Sequence, residues 1–183
     1  VGEGTGSICN TRPETGIGSP QVTAVYECTR AVEKFGVPIC ADGGITNPGD
    51  ISIAIAAGAH SVMLGGLLAG TKETPGDVIT RDGDMYKLYR GMGSLSALQE
   101  SSASRRRYSV ELKAGKPLVE GIEKLVMYRG SVKDAVNHYV SALRKSMSYV
   151  GAGNIEDHRQ NTQLIRITNA GMRESLPHDV SHS

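Results

Sequence analysis

The chain has 183 residues, a formal net charge of +1 and a pI near 7.9. That balance offers no broad electrostatic surface to nucleic acid or membrane, and no apolar run approaches the roughly 20 residues of a membrane span. Three cysteines, few and odd in number, point to a reducing, cytoplasmic setting rather than a disulfide scaffold.

Aromatic residues make up 4% and tryptophan is absent, so the core is expected to be aliphatic, with the 23 glycines concentrated in loops. Val1-Gly2 is expected to end a strand, and a loop follows to about Ser19. Pro20 to Phe35 reads as a helix, with Pro20 at its first position, Val22, Val25, Tyr26 and Thr29 as its apolar stripe and Gly36 as its stop. Val37 to Ala41 is a short apolar run suited to a buried parallel strand, and Asp42-Gly43-Gly44 follows its end. Asn47 caps a helix with Pro48 in its first turn. Ile51, Ala54 and Ile55 face inward until Gly58. His60 to Leu64 is the next strand, closed by Gly65-Gly66, with a short helix beginning at Leu67-Leu68-Ala69. Strand, helix, strand, each strand ending in glycines, is the rhythm of a parallel α/β fold.

Asp82-Gly83 between two short runs signals a two-stranded ribbon over Val78 to Tyr89. Gln99 to Pro117 is polar, with three successive arginines, and reads as a mobile flap. Ser131 to Val150 is the longest helical pattern. Ser131 and Asp134 form its capping box, and Val132, Val136, Tyr139, Val140 and Leu143 its buried stripe. Ile155 to Asn161 reads as a short helix, Leu164 to Thr168 as a short strand, and the tail from Asn169 as irregular. No repeat at solenoid spacing occurs.

Chemistry concentrates in Gly4-Thr5-Gly6-Ser7-Ile8-Cys9-Asn10-Thr11-Arg12. Glycines allow close backbone approach to a ligand. A thiol on such a loop, with Arg12 nearby to favour thiolate, is a candidate nucleophile, although most lone cysteines are small buried hydrophobes. The glycine-ended strands at Asp42-Gly43-Gly44 and Gly65-Gly66 are candidates for phosphate binding through backbone N–H groups. Asp42 suits a bidentate contact to ribose hydroxyls, or a simple turn bond. The five histidines, His60, His138, His158, His178 and His182, share no metal-ligand spacing, and no Cys-x-x-Cys occurs.

The Cys9 loop, Ala41-Asp42-Gly43-Gly44, Val62-Met63-Leu64-Gly65, Tyr89-Arg90-Gly91-Met92-Gly93-Ser94, Arg107-Tyr108, Glu120-Gly121 and Arg173-Glu174-Ser175-x-Pro177-His178-Asp179 run in one order across nearly the whole chain. In that order they resemble the landmarks of the inosine monophosphate (IMP) dehydrogenase/GMP reductase family. The resemblance implies an α/β TIM (β/α)8 barrel. Such a barrel takes about 250 residues, so the expectation is its later part. Barrel residues run to 98, the flap covers 99–119, and the last helix and C-terminal segment cover 120–183. The N-terminal half and any regulatory insert are then expected to be missing or supplied by another chain.

The resemblance further implies an NAD-dependent oxidation of IMP. Cys9 adds to C2 of the purine, a covalent thioimidate forms, and water releases xanthosine monophosphate. Ser7, Gly43, Gly44, Gly65, Gly66 and Tyr89 hold the phosphate, and Asp42 the ribose. Met92 and Gly93 lie along the base, Arg90 and Gly91 also bind the substrate, and Glu120 lies near the purine N1. The family usually has Ser where this chain has Gly66, a feature shared with GMP reductase. Arg107-Tyr108 activates water, with Thr11 as relay. Arginine yields a proton with difficulty, so burial beside substrate would have to ease it. No G-x-G-x-x-G follows a strand, so NAD is expected across the barrel mouth, near Gly2, Glu3, Gly4 and Thr11. Carbonyls of Gly4, Gly6 and Cys9, with Glu174, Ser175 and Leu176 of a neighbouring subunit, imply a potassium site and a homotetramer. GMP reductase and an inactive nucleotide-binding remnant are the alternatives.

Overall fold

The computed structural model describes residues 1–109 and 118–177. In chain order the elements are α1 (Thr11–Thr15), α2 (Gln21–Val32) with a 3-10 turn at Glu33–Phe35, β1 (Cys40–Asp42), α3 (Pro48–Ala56), β2 (Ser61–Met63) and α4 (Gly66–Ala69). They continue as β3 (Val78–Arg81), β4 (Asp84–Arg90), α5 (Leu95–Glu100), α6 (Ser102–Arg107), β5 (Glu123–Met127), α7 (Val132–Tyr149), α8 (Ile155–Asn161) and α9 (Asn169–Glu174).

β1 and β2 pair in parallel, Ala41 opposite Val62, joined by α3 as a βαβ unit. The Val1 nitrogen donates to the Cys40 carbonyl at 2.6 Å, and the Asp42 amide donates to the Val1 carbonyl at 2.8 Å. These two bonds flank Ala41 as in a parallel pair, so Val1 lies where a strand end was expected. β3, β4 and β5 form a separate antiparallel sheet. The described residues form no closed barrel.

Local signals placed most elements. Asn47 and Asp50 make a reciprocal capping box on α3, with Pro48 in the first turn. Asp82 and Gly83 turn the β3–β4 hairpin with φ of 55° and 89°, the conformation an Asp-Gly pair favours. Ser131 caps α7, its hydroxyl accepting from the Asp134 amide and donating to the Asp134 carboxylate. Gly58 takes φ of 113°, and an added Cβ would stand 2.6 Å from Thr29, so α2 and the end of α3 approach closely there.

The core lies on both sides of α3. On one side Val25, Ile39, Ala41, Ala54, Ala57 and Ala59 pack together. On the other, Ile51, Ile55, Leu67 and Tyr139 do so, and Tyr139 donates to the Leu67 carbonyl at 2.7 Å. Beneath them a polar chain ties three helices. His158 is fully buried; its ring nitrogens meet Ser52 and Thr162 at 2.7 Å each, and Ser52 meets Ser146 at 2.6 Å. That histidine is a crosslink of α8 to α3 and α7, with both of its ring nitrogens partnered, as burial requires.

Several expectations are corrected. Val22 and Tyr26 are exposed; the buried face of α2 is Val25 with Cys28 and Val32. Val136 and Val140 of α7 are likewise exposed, and Ala135, Tyr139 and Leu143 face the core. The first strand is shorter than expected, and Val37 is exposed. The ribbon has a third strand, β5, that pairs with β4. Leu164 to Thr168 forms no strand, and Asn169–Glu174 is helical rather than irregular. The front of the flap is also helical, as α5 and α6, while residues 110–117, His178, Asp179 and His182 lie outside the described residues.

Candidate active site

The loop after Val1 folds back on the chain by backbone bonds. The Cys9 amide donates to the Gly6 carbonyl at 3.0 Å, and Cys9 lies opposite Gly121 in an isolated antiparallel bridge. The Asn10 amide donates to the Glu120 carbonyl at 2.9 Å, and the Ile122 amide to the Ile8 carbonyl at 2.9 Å. Cys9 is therefore held against the 120–122 segment, more than a hundred residues away in sequence. It is only half-buried, not sealed in the aliphatic core.

Its sulfur heads a chain of polar groups. Cys9 Sγ donates to Thr11 Oγ1 at 3.1 Å, and Thr11 Oγ1 donates to Glu120 Oε2 at 2.8 Å. Thr11 is 7% exposed. A thiol, a buried hydroxyl and a carboxylate in line give a proton a route from sulfur to Glu120. Arg12 is not the partner of the thiol. Its guanidinium donates to the carbonyls of Glu3 and Ser19 and staples the loop to α1. Thr11, expected beside the dinucleotide as well, has its hydroxyl committed to Cys9 and Glu120.

Tyr108 follows α6 and closes this site from the flap side. Its ring stands 3.0 Å from where a Cβ on Gly93 would be, so a side chain there would crowd it. Burial pushes the Tyr108 phenol above its ordinary value, the negative charges of Cys9 and Glu120 add to the rise, and Arg107 opposes them. The Tyr108 ring and the Glu120 backbone both lie against Gly93, and Arg107 precedes Tyr108 at the end of α6. Arg105 plays a structural part, donating to the Leu98 and Gln99 carbonyls at 2.8 and 3.0 Å and so closing the C-terminal end of α5. Nothing in the structure explains Arg106.

Beside this chain lies a pocket of about 110 Å³ lined by Ser7, Asp42, Gly43, Gly44, Gly65, Gly66 and Tyr89, with Thr5, Gly6, Ile45, Thr46 and Met63. Gly43 and Gly44 take φ of 93° and 77°, which L side chains rarely adopt. The Tyr89 hydroxyl sits 2.5 Å from a Cβ built on Gly65, and Ser7 Oγ 3.0 Å from one on Gly66. Glycine at 66 therefore leaves room for the Ser7 hydroxyl. Burial raises the Tyr89 phenol, a bond with Ser7 lowers it, and the Asp42 charge raises it. The residues expected at phosphate and ribose converge.

Other expected residues sit as follows. Gly91 donates its amide to the Ile122 carbonyl at 3.1 Å, and Met92 is exposed beside the site. The Arg90 guanidinium is turned away onto Ser96 at 3.0 Å and Glu100 at 2.6 Å. That bond raises the Arg90 pKa and lowers that of Glu100, and it clamps β4 to α5. A Cβ on Gly2 would overlap the Asp42 carbonyl, so Gly2 is a point of close chain approach. Glu174 ends α9, and Ser175 and Leu176 follow, donating to the Gly171 and Arg173 carbonyls. Among the described residues no group of three or more His, Cys, Asp or Glu could hold a metal.

Two residues escaped the sequence reading. Gln21 donates to the Val1 and Asp42 carbonyls at 2.9 and 3.1 Å, tying the two strand ends together. Thr5 donates to the Asp42 carbonyl at 3.2 Å and packs where a side chain on Gly43 would stand. A polar residue opening a helix behind a Gly-rich loop was the one signal for Gln21.

The IMP dehydrogenase / GMP reductase domain matches residues 1–178. This chain belongs to that family. It is 52% identical over 180 residues to inosine-5'-monophosphate dehydrogenase of Halalkalibacterium halodurans, covering 98% of this chain and 36% of that protein. The same enzyme of Aquifex aeolicus is 52% identical with the same coverage. Among solved structures, a cysteine-to-alanine variant of Trypanosoma brucei GMP reductase in complex with guanosine 5'-monophosphate superposes with a TM-score of 0.87 at 44% identity. It matches 98% of this chain and 36% of that one. The chain thus spans about 36% of the length of the relatives it matches.

Titration of wild type against Tyr108→Phe, followed by tyrosinate absorbance, should show this phenol ionising above its ordinary value of 10.0. The neutral form is favoured in the folded state, so this group's stabilising contribution is present below pH 10 and is lost as pH rises beyond it. Ionisation at or below 10 would contradict the burial of Tyr108 against Gly93.

Proposed function

We propose that the full-length protein oxidises IMP to xanthosine monophosphate with NAD, through a covalent adduct on Cys9. The observation that carries this is the Cys9–Thr11–Glu120 chain beside a pocket formed by Ser7, two glycine-ended strands and Tyr89. The pocket takes the phosphate on backbone N–H groups and the Ser7 and Tyr89 hydroxyls. Asp42 at its rim takes the ribose hydroxyls.

With the nucleotide held there, Cys9 sulfur bonds to purine C2, and its proton passes through Thr11 to Glu120. Glu120 Oε1 faces the N1 edge, since Oε2 serves Thr11. Gly2, Glu3 and Gly4 would hold NAD, which would supply the acceptor for the hydride that leaves C2. Glu120 releases the thiol proton to solvent; water then attacks C2, the carbon–sulfur bond breaks, and the proton the water gives up returns to sulfur by way of Glu120 and Thr11. Arg107 and Tyr108 position that water. Covalent capture divides one hard step into two.

A potassium ion suits the carbonyls of Gly4, Gly6 and Cys9, because a hard cation takes oxygen ligands. Gly6 oxygen accepts one amide bond and keeps its second lone pair. Glu174, Ser175 and Leu176 of a neighbouring subunit would supply further carbonyl oxygens to it in a tetramer.

The second reading is GMP reductase, favoured by Gly66 and by the Trypanosoma brucei structure. The Arg107–Tyr108 pair beside Cys9 and Glu120 favours the dehydrogenase, since only that reaction ends in hydrolysis. Full-length protein offered IMP with NAD+, then GMP with NADPH, should turn over the first pair. Arg107→Ala should slow hydrolysis at least tenfold more than hydride transfer, on the scale of a lost water-positioning or acid–base group. An unchanged steady-state rate, or turnover of GMP alone, would remove this reading.

A further inference from the structure

Lys87 is buried to 1% exposure, heading the fully buried side chains of the described residues by volume. Its Nζ donates to the carbonyls of Thr71 at 3.2 Å, Lys72 at 3.5 Å and Thr74. An ammonium has three donors and no acceptor, so three carbonyls of one loop satisfy it. Among the described residues the ion pairs involve arginines, and no carboxylate faces it. Burying a charge is costly. A methionine would fill the same space, so packing alone does not account for a lysine there.

The gathered loop begins directly after α4, the helix that Gly65 and Gly66 open. The end of α4 is pressed from a second side. A Cβ on Gly70 would overlap the Met127 carbonyl, and the Arg129 amide donates to the Gly70 carbonyl at 2.8 Å. The start of α4 meets Tyr89, whose hydroxyl sits against Gly65. Lys87 and Tyr89 are two residues apart on β4 and so project from one face. One strand therefore grips both ends of the same short helix.

We propose that Lys87 is a positioning residue of the glycine-lined pocket. By holding the Thr71–Thr74 loop it sets where Gly65 and Gly66 stand against Ser7 and Tyr89, and so how tightly a nucleotide phosphate is held. The inference rests on the phosphate reading of that pocket. Lys87 touches neither substrate nor sulfur, so its effect reaches the phosphate and not the base.

The test uses full-length protein and alkylation of Cys9 by iodoacetamide, with IMP and inosine as protecting ligands. The two share base and ribose, so the ratio of their half-protecting concentrations reports the phosphate alone. Lys87→Met should raise the IMP concentration roughly tenfold or more, the scale of a small misplacement of binding groups, with the inosine concentration unchanged. A lowered Tm with a wild-type ratio would make Lys87 a stabilising residue only and overturn the proposal. If Lys87→Met does not fold, Gly70→Ala displaces the same helix end from the β5 side. An increased IMP-to-inosine ratio there supports the proposal and an unchanged ratio overturns it. Equal protection of wild type by IMP and inosine would defeat the phosphate reading first, and the role of Lys87 with it.

Discussion

The structure turns on the contact between the Cys9 loop and the Glu120–Ile122 segment. The backbone bridge of Cys9 to Gly121 and the bonds of Asn10 and Ile122 on either side fix the loop's height. The Thr11–Glu120 bond then joins the sulfur to a carboxylate. Without that contact the thiol would sit on a free glycine loop with no acceptor for its proton. A thiol acting as nucleophile would need both a fixed position and a base, and this seam offers a fixed position and a carboxylate.

Glycine is what lets separate elements meet at the site. Gly43 accommodates Thr5, Gly65 accommodates Tyr89, Gly66 accommodates Ser7, and Gly93 and Gly121 bring β4, the flap and the Cys9 loop to one point. Each glycine is a place where a Cβ would crowd a neighbouring side chain or backbone segment. The pocket is thus assembled from backbone, with a few hydroxyls at its rim, which suits an anion held by N–H groups. Three arginines nearby serve the scaffold: Arg12 staples the loop, Arg90 clamps β4 to α5, and Arg105 closes α5.

The elements legible in the sequence were those with local causes. Asn47 and Asp50, Ser131 and Asp134, and Asp82-Gly83 each carry their own hydrogen bonds or dihedral requirement. Periodicity located α2 and α7 but misjudged which apolar residues face inward, because Val22, Tyr26, Val136 and Val140 lie on the same stripe as true core residues. β5 was missed since Glu123 to Met127 opens on two charges and is defined by pairing with β4, over thirty residues away. The site residues were legible as motifs, but their connections were not. Nothing local in Thr11 or Glu120 says they bond, and nothing in Lys87 says that it is buried. Arg12 shows the converse: adjacency in sequence suggested a partner for the thiol, and the fold turned the side chain elsewhere.

The central claim is that Cys9 sulfur becomes bonded to the purine during turnover. Full-length protein turning over base-labelled IMP with NAD+ can be acid-quenched, digested and mapped. The account predicts label covalently retained on the peptide that contains Cys9, and lost in Cys9→Ser. Label on no peptide, or on those of Cys28 or Cys40, would contradict it.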